Sequence, residues 1–192
     1  LSTHRGYDYL LYVITIRAMS HLIISSLYFI FPAYIANMCP VIFGKLNFPF
    51  GKAINAKLFG ENKTWRGFYA GYLGAFIVLL VQAFLSSKGI FEQYAFLDYS
   101  EINLLLYAGL FGIGAILGDL IESFFKRRVG IKSGQPWFPF DQLDFVIGAL
   151  ALLAPLYILP WENILALAII TPILHFLTNV IAYLLGLKKV WW

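Results

Sequence analysis

The sequence predicts an all-α integral membrane protein, a bundle of about five transmembrane helices with a polar site built by the loops on one face. Three observations carry that prediction. Of the 192 residues, 60% are hydrophobic and only 12% charged, with a mean hydropathy of +0.77. A soluble domain carries about 25% charged residues. The apolar stretches approach or exceed the roughly 20 residues that cross a bilayer as helix, and they lack the alternation of barrel strands. The basic residues, for the most part, gather between these stretches.

The first apolar stretch occupies 9–43, too long for one simple crossing. Residues 20–43 are assigned to the membrane, and 9–19 to an interfacial helix or a helical extension. The run is also too long for a signal peptide and lacks a cleavage-like site. Further spans are expected at 67–86, 102–125, 143–159 and 163–187, all within a single membrane domain. Only Pro160-Trp161-Glu162 separates the last two, so they form a tight helical hairpin.

Orientation follows from charge. Segment 44–66 holds Lys45, Lys52, Lys57, Lys63 and Arg66; segment 126–142 holds Lys126, Arg127, Arg128 and Lys132; the tail holds Lys188 and Lys189. Five crossings put all three on one side, cytoplasmic by the positive-inside rule. The N-terminus and the acidic segment 87–101, with Glu92, Asp98 and Glu101, then fall outside. The net charge of +4 matters less than this placement.

Packing explains several features more cheaply than function does. The spacings Gly67-xxx-Gly71, Gly74 and Gly114-xxx-Gly118 make small-residue ridges for close helix approach, within the chain or in an oligomer. Arg17 and His21 suit snorkelling at the outer interface. His175 and Asn179, one turn apart in the last span, suit a hydrogen bond to a neighbouring helix. Trp191-Trp192 reads as an interfacial anchor. Cys39 is the only cysteine, so an internal disulfide and a thiolate metal cluster are both excluded.

The third span is different. Asp119, Glu122, Ser123 and Lys126 fall at i, i+3, i+4 and i+7, on one helical stripe. A carboxylate at membrane depth costs about 2.5–3.5 kcal/mol on insertion scales, so it needs a cation. Glu122 and Lys126 also fit an ordinary i,i+4 pair at a helix end that has reached water. The glycine- and proline-bearing stretch 128–136 is a loop. Asp141 and Asp144 open the fourth span on one face. Acids from two helix ends at one depth make an oxygen-rich site for Mg²⁺, which takes one or two carboxylates plus phosphate oxygens. Lys126, Arg127, Arg128 and Lys132 surround that site with charge suited to a polyphosphate.

The stretch 55–67, containing Asn55, Lys57, Phe59, Gly60, Lys63, Thr64 and Arg66, is the second half of the site. It lacks the glycines of a Walker loop. Its cations, Thr64 and its lead into a helix N-terminus nevertheless suit a nucleotide's phosphates.

These residues resemble a known family. Gly118-Asp119, Ser123, Lys126-Arg127 and Lys132, followed by Asp141 and Asp144, are similar to the signature of the membrane CTP:phosphatidate cytidylyltransferases. Lys63-Thr64-Trp65-Arg66-Gly67 resembles their archaeal branch, the CDP-archaeol synthases. The motif regions cover about a quarter of the chain. Ser133, Gln142 and the shortened run Gln135–Phe140 depart from the broad signature and favour the archaeal branch.

The resemblance implies transfer of CMP from CTP to a membrane lipid phosphate, 2,3-di-O-geranylgeranyl-glycerol 1-phosphate. It implies Mg²⁺ on Asp119, Asp141 and Asp144, with Lys126, Lys132 and Lys63 neutralising the leaving pyrophosphate. Asn55, Lys57, Phe59, Gly60, Thr64, Arg66, Ser123 and Arg127 join Lys63 as the CTP-binding set. No nucleic-acid partner is expected, and the oligomeric state stays open. A diacylglycerol-type acceptor is one alternative. An ion-translocating protein is another, but it needs polar residues across the whole membrane, whereas these acids stop at the inner end. A CDP-alcohol phosphotransferase needs an Asp-Gly-xx-Ala-Arg start that is absent.

Overall fold

The computed structural model describes residues 2–184, with side chains from residue 12 onward except at position 182. The expected anchor Trp191-Trp192 and the tail lysines Lys188 and Lys189 lie outside the described residues. Six α-helices follow one another: α1 (Ser2–Lys45), α2 (Ala56–Phe59), α3 (Trp65–Ser86), α4 (Leu104–Arg128), α5 (Phe140–Leu153) and α6 (Trp161–Leu184). Among the described residues the only β pairing is an isolated antiparallel bridge, Ala53 with Thr64.

Helices α1, α3, α4 and α6 are long and apolar enough to cross a membrane. The expected boundary near residue 19 does not interrupt α1, which runs as one helix through both parts. The expected fourth span differs more. Helix α5 has 14 residues, about 21 Å at 1.5 Å per residue. It falls short of a full crossing, and the non-helical segment 154–160 completes the link to α6.

Close packing comes from small residues and aromatic inserts. Phe29, Phe111 and Phe145 are buried at the centre, and Phe29 meets Phe111 edge-on at 5.4 Å between centroids. Gly71 of α3 backs onto Gly112 and Ile116 of α4, and Gly74 backs onto Cys39 of α1. Gly114 and Gly118 of α4 lie against Gly148 and Ala149 of α5. The glycine ridges therefore serve contacts within the chain.

Pro32 sits inside α1 and has no N–H to give the carbonyl of Tyr28, four residues back. Gln82 of α3 supplies the missing donor, its Nε2 lying 2.7 Å from the Tyr28 oxygen. At the end of the bundle away from the site, Asn163 of α6 donates to Ser26 of α1 at 2.8 Å. Leu97 and Tyr99, from the connection between α3 and α4, are buried over the same end.

Candidate active site

Two loops and two helix ends build the site. The stretch before α3 pairs with itself: the Ile54 amide donates to the Lys63 carbonyl at 2.8 Å, and the Trp65 amide to the Lys52 carbonyl at 3.2 Å. This pairing holds Lys63 beside α4. Its Nζ reaches both carboxylate oxygens of Asp119 at 2.5 Å, with about a quarter of each side chain exposed. Two helical turns on, Lys126 pairs with Glu122 at 3.3 Å and with Asp141 at the start of α5. The backbone amide of Trp137 donates to the second Asp141 oxygen at 2.5 Å. Asp144 lies one turn deeper in α5 and accepts from the Phe145 amide at 2.6 Å.

Glu122 and Lys126 are each 7% exposed and Asp144 is 9% exposed, so this is a buried charge cluster. Asp119, Glu122 and Asp141 pair directly with two lysines and Asp144 lies beside them, leaving an excess of negative charge that calls for a further cation. Carboxylate oxygens of Asp119, Glu122 and Asp144 lie within 4.8 Å of one another. Glu122 Oε1 is buried without a hydrogen bond, its Lys126 contact being an ion pair of looser geometry. An all-oxygen donor set with one unsatisfied carboxylate oxygen fits a hard divalent cation such as Mg²⁺. The expected ligand Asp141 falls outside that trio because Lys126 and the Trp137 amide already take its two oxygens. Glu122, expected to be as much a surface ion pair as a functional group, is inside it.

A cavity of about 1320 Å³ opens over the cluster. Its wall includes the expected Phe59, Lys63, Thr64, Arg66, Asp119 and Ser123. Lys126, Arg127, Asp141 and Asp144 also line it. Arg127 Nε is buried there without a hydrogen-bond partner, a donor placed for a ligand's anion. Four other expected residues do not line the wall. Asn55 caps α2, accepting from the Lys57 and Leu58 amides at 3.1 Å. Gly60 adopts φ +94°, and a Cβ there would come within 3.0 Å of Ser133 Oγ. It therefore lets the two polar loops close on each other. Lys57 and Lys132 are exposed.

Arg66 lines the cavity but also donates to the Phe48 carbonyl at 2.8 Å, and its guanidinium packs against Gly44 and Gly51. Asn62, Gln142, His175 and Asn179 line the cavity and were not expected there. The last two were assigned to packing because their i,i+4 spacing says nothing of what the helix faces.

Comparison with known proteins gives one consistent result. The family model for CarS-like CDP-archaeol synthase matches residues 19–192. The CDP-archaeol synthase of Methanocaldococcus jannaschii is 40% identical over 181 residues, covering 89% of this chain and 98% of that protein. The CDP-archaeol synthase of Pyrococcus furiosus is 36% identical over 176 residues, covering 90% and 99%. A solved structure of an intramembrane enzyme for archaeal membrane lipid biosynthesis matches with a TM-score of 0.63 at 29% identity, over 80% of this chain and 92% of that one.

Proposed function

The chain belongs to the CDP-archaeol synthase family, and on that premise we propose that its buried carboxylate–lysine cluster is where CTP meets an archaeal lipid phosphate. The reaction transfers CMP from CTP to 2,3-di-O-geranylgeranyl-glycerol 1-phosphate, giving the CDP-activated lipid and pyrophosphate in membrane phospholipid biosynthesis. One observation carries the reading: a single cavity joins the polar loops, the charged cluster and the lipid-exposed helix α6. A water-soluble nucleotide and a membrane lipid can therefore reach the same carboxylates from different sides.

An oxygen of the lipid phosphate attacks the α-phosphorus of CTP, the bond to the β-phosphate breaks, and pyrophosphate leaves. The nucleophile is already anionic at neutral pH, so no general base is needed. Lys63 and Lys126, held by Asp119 and by Glu122 with Asp141, are placed to neutralise phosphate oxygens. Arg127 offers its unpartnered Nε to the same charge. Thr64 and Phe59 line the nucleotide side, and Ser123 donates to Glu122 at 3.5 Å, helping to hold that carboxylate. A divalent cation, Mg²⁺ by the donor set, would sit on Asp119, Glu122 and Asp144 with Asp141 adjacent and supply Lewis-acid stabilisation of phosphate charge. The remaining rate enhancement is positioning and preorganised electrostatics.

The basic residues of segments 44–66 and 126–142 favour a cytoplasmic side for the site, where CTP is available. The test is pyrophosphate release from CTP by the purified protein, with the geranylgeranyl-ether phosphate and a diacyl phosphate offered side by side. Turnover with the ether lipid is expected. Preference for the diacyl lipid would overturn the acceptor assignment, and release with neither would overturn the enzyme reading.

A further inference from the structure

The connection from α4 to α5 ends in Pro136-Trp137-Phe138-Pro139, and the two prolines fix φ on either side of the aromatic pair. The backbone around them is tied down. The Asp141 amide donates to the Trp137 carbonyl at 3.1 Å, and the Gln142 amide to the Pro139 carbonyl at 3.2 Å. Trp137 packs its ring against Phe140 at 4.5 Å between centroids. Phe138 makes no ring contact among the described residues and is 72% exposed, yet it lines the cavity. A fixed backbone thus holds an uncovered aromatic face at the cavity wall.

Two contacts join this segment to the charged cluster and the other polar loop. Asp141 pairs with Lys126 through one oxygen and takes the Trp137 amide on the other. The aromatic segment and a phosphate-neutralising lysine therefore hang on one carboxylate. Earlier in the same connection, Ser133 Oγ lies 3.0 Å from where a Cβ on Gly60 would stand, so it meets the loop that carries Lys63 and Thr64. Lys132, Ser133, Gly134 and Gln135 are polar or small and exposed, a run that suits water rather than hydrocarbon.

Gln142 supplies a second feature. It lines the cavity, and its Oε1 is buried without a hydrogen bond. A buried acceptor needs a donor, and χ3, a broad torsion, lets the amide turn toward a ligand. An ionised triphosphate has no donor to give.

We propose that Phe138 and Gln142 form the base subsite: the Phe138 ring stacks on the face of cytosine, and Gln142 Oε1 accepts from its exocyclic amine. The turn closed by the Gln142 amide on the Pro139 carbonyl brings the two residues together. Lipid tails offer no donor, and neither ribose nor triphosphate offers a flat apolar face. Cytosine is the one part of either substrate that meets both features. The inference rests on the cytidylyltransferase reading and deepens it by assigning the residues that read the base.

The test measures Mg²⁺-dependent binding of CTP, UTP, 2′-deoxy-CTP and inorganic tripolyphosphate to the full chain in detergent. Phe138→Leu keeps apolar bulk without the aromatic face. Its affinity for CTP and UTP is expected to fall about tenfold, within the range for a lost base–aromatic stack, with tripolyphosphate binding unchanged. Phe138→Trp should keep wild-type CTP affinity. Gln142→Met keeps the chain length without the amide. Its affinity for CTP and deoxy-CTP is expected to fall about fivefold, as one lost hydrogen bond implies, with UTP and tripolyphosphate unchanged. Unchanged CTP affinity in Phe138→Leu or in Gln142→Met overturns the proposal. So does an equal loss for tripolyphosphate, which marks a displaced phosphate site. A Gln142→Met loss that spares deoxy-CTP marks a ribose contact and also overturns it. So does a raised lipid KM in Phe138→Leu with CTP binding intact, which marks a ring facing the membrane. If Gln142→Met does not fold, the two Phe138 variants decide alone by the same criteria. Wild-type protein that binds no CTP sinks the cytidylyltransferase reading itself; wild-type binding and transfer with unaffected variants sinks this inference alone.

Discussion

Gly118→Ala is the smallest change that should dismantle the site without touching a charged group. A Cβ on Gly118 would fall on the carbonyl oxygen of Asp144, 2.8 Å from its carbon and 3.1 Å from the Cα of Gly148. Every atom it meets is backbone, so no rotamer change relieves the clash. The oxygen lies nearer than its carbon, so α4 and α5 must part by more than the roughly 0.6 Å that would carry the carbon alone from 2.8 Å to 3.4 Å. The same movement separates Asp119 and Glu122 from Asp144, whose oxygens now lie within 4.8 Å. Overpacking of this kind costs about 1–3 kcal/mol, and a misplacement near 1 Å costs about 100-fold in rate. The expected result is a lower melting temperature in detergent and a fall in pyrophosphate release of about two orders of magnitude. Gly109→Ala, on the same helix, is the control. Its Cβ would find nothing nearer than Tyr72 Cε2 at 3.9 Å, and alanine gains up to about 1 kcal/mol of helix propensity. Wild-type stability and rate in Gly118→Ala would refute the claim that backbone contact between α4 and α5 sets the carboxylate spacing.

Three further predictions are separable. Asp141→Asn leaves an oxygen for the Trp137 amide but removes the charge that holds Lys126, so thermal stability in detergent should persist while turnover is abolished. Glu122→Gln removes the one carboxylate of the trio with an unsatisfied oxygen; the Mg²⁺ concentration for half-maximal CTP binding should rise roughly tenfold or more, as losing a charged contact implies, measured by metal titration. Gln82→Met strips the donor from the Tyr28 carbonyl that Pro32 leaves open; thermal unfolding should show a loss of about 1–3 kcal/mol with KM for CTP unchanged.

The helical stripe Asp119–Lys126 was legible in the sequence because side-chain direction follows from the 3.6-residue period alone. The two polar loops were legible for a similar local reason, as charge, glycine and proline punctuate the apolar runs. Partnerships across the chain were not. Nothing in the sequence pairs Lys63 with Asp119, 56 residues apart; the bridge between Ala53 and Thr64 and the approach of the two loops do so. Which acids gather into the trio Asp119, Glu122 and Asp144, and which stands apart, was equally hidden. Glu122 and Asp141 both reach Lys126, and only the Trp137 amide draws Asp141 away from the trio. Helix α5 was read as a full span because hydropathy does not register where residues 154–160 stop being helical. His175 and Asn179 were read as packing groups, since a lone helix does not reveal that its polar turn opens on a cavity.

Anomalous diffraction from crystals grown with CTP and Mn²⁺, a scattering substitute for Mg²⁺, probes the charged cluster most directly. The account predicts a metal peak bounded by the carboxylates of Asp119, Glu122 and Asp144, with the triphosphate running toward Lys63 and Lys126. A metal peak elsewhere, or a triphosphate bound remote from those carboxylates, would contradict it.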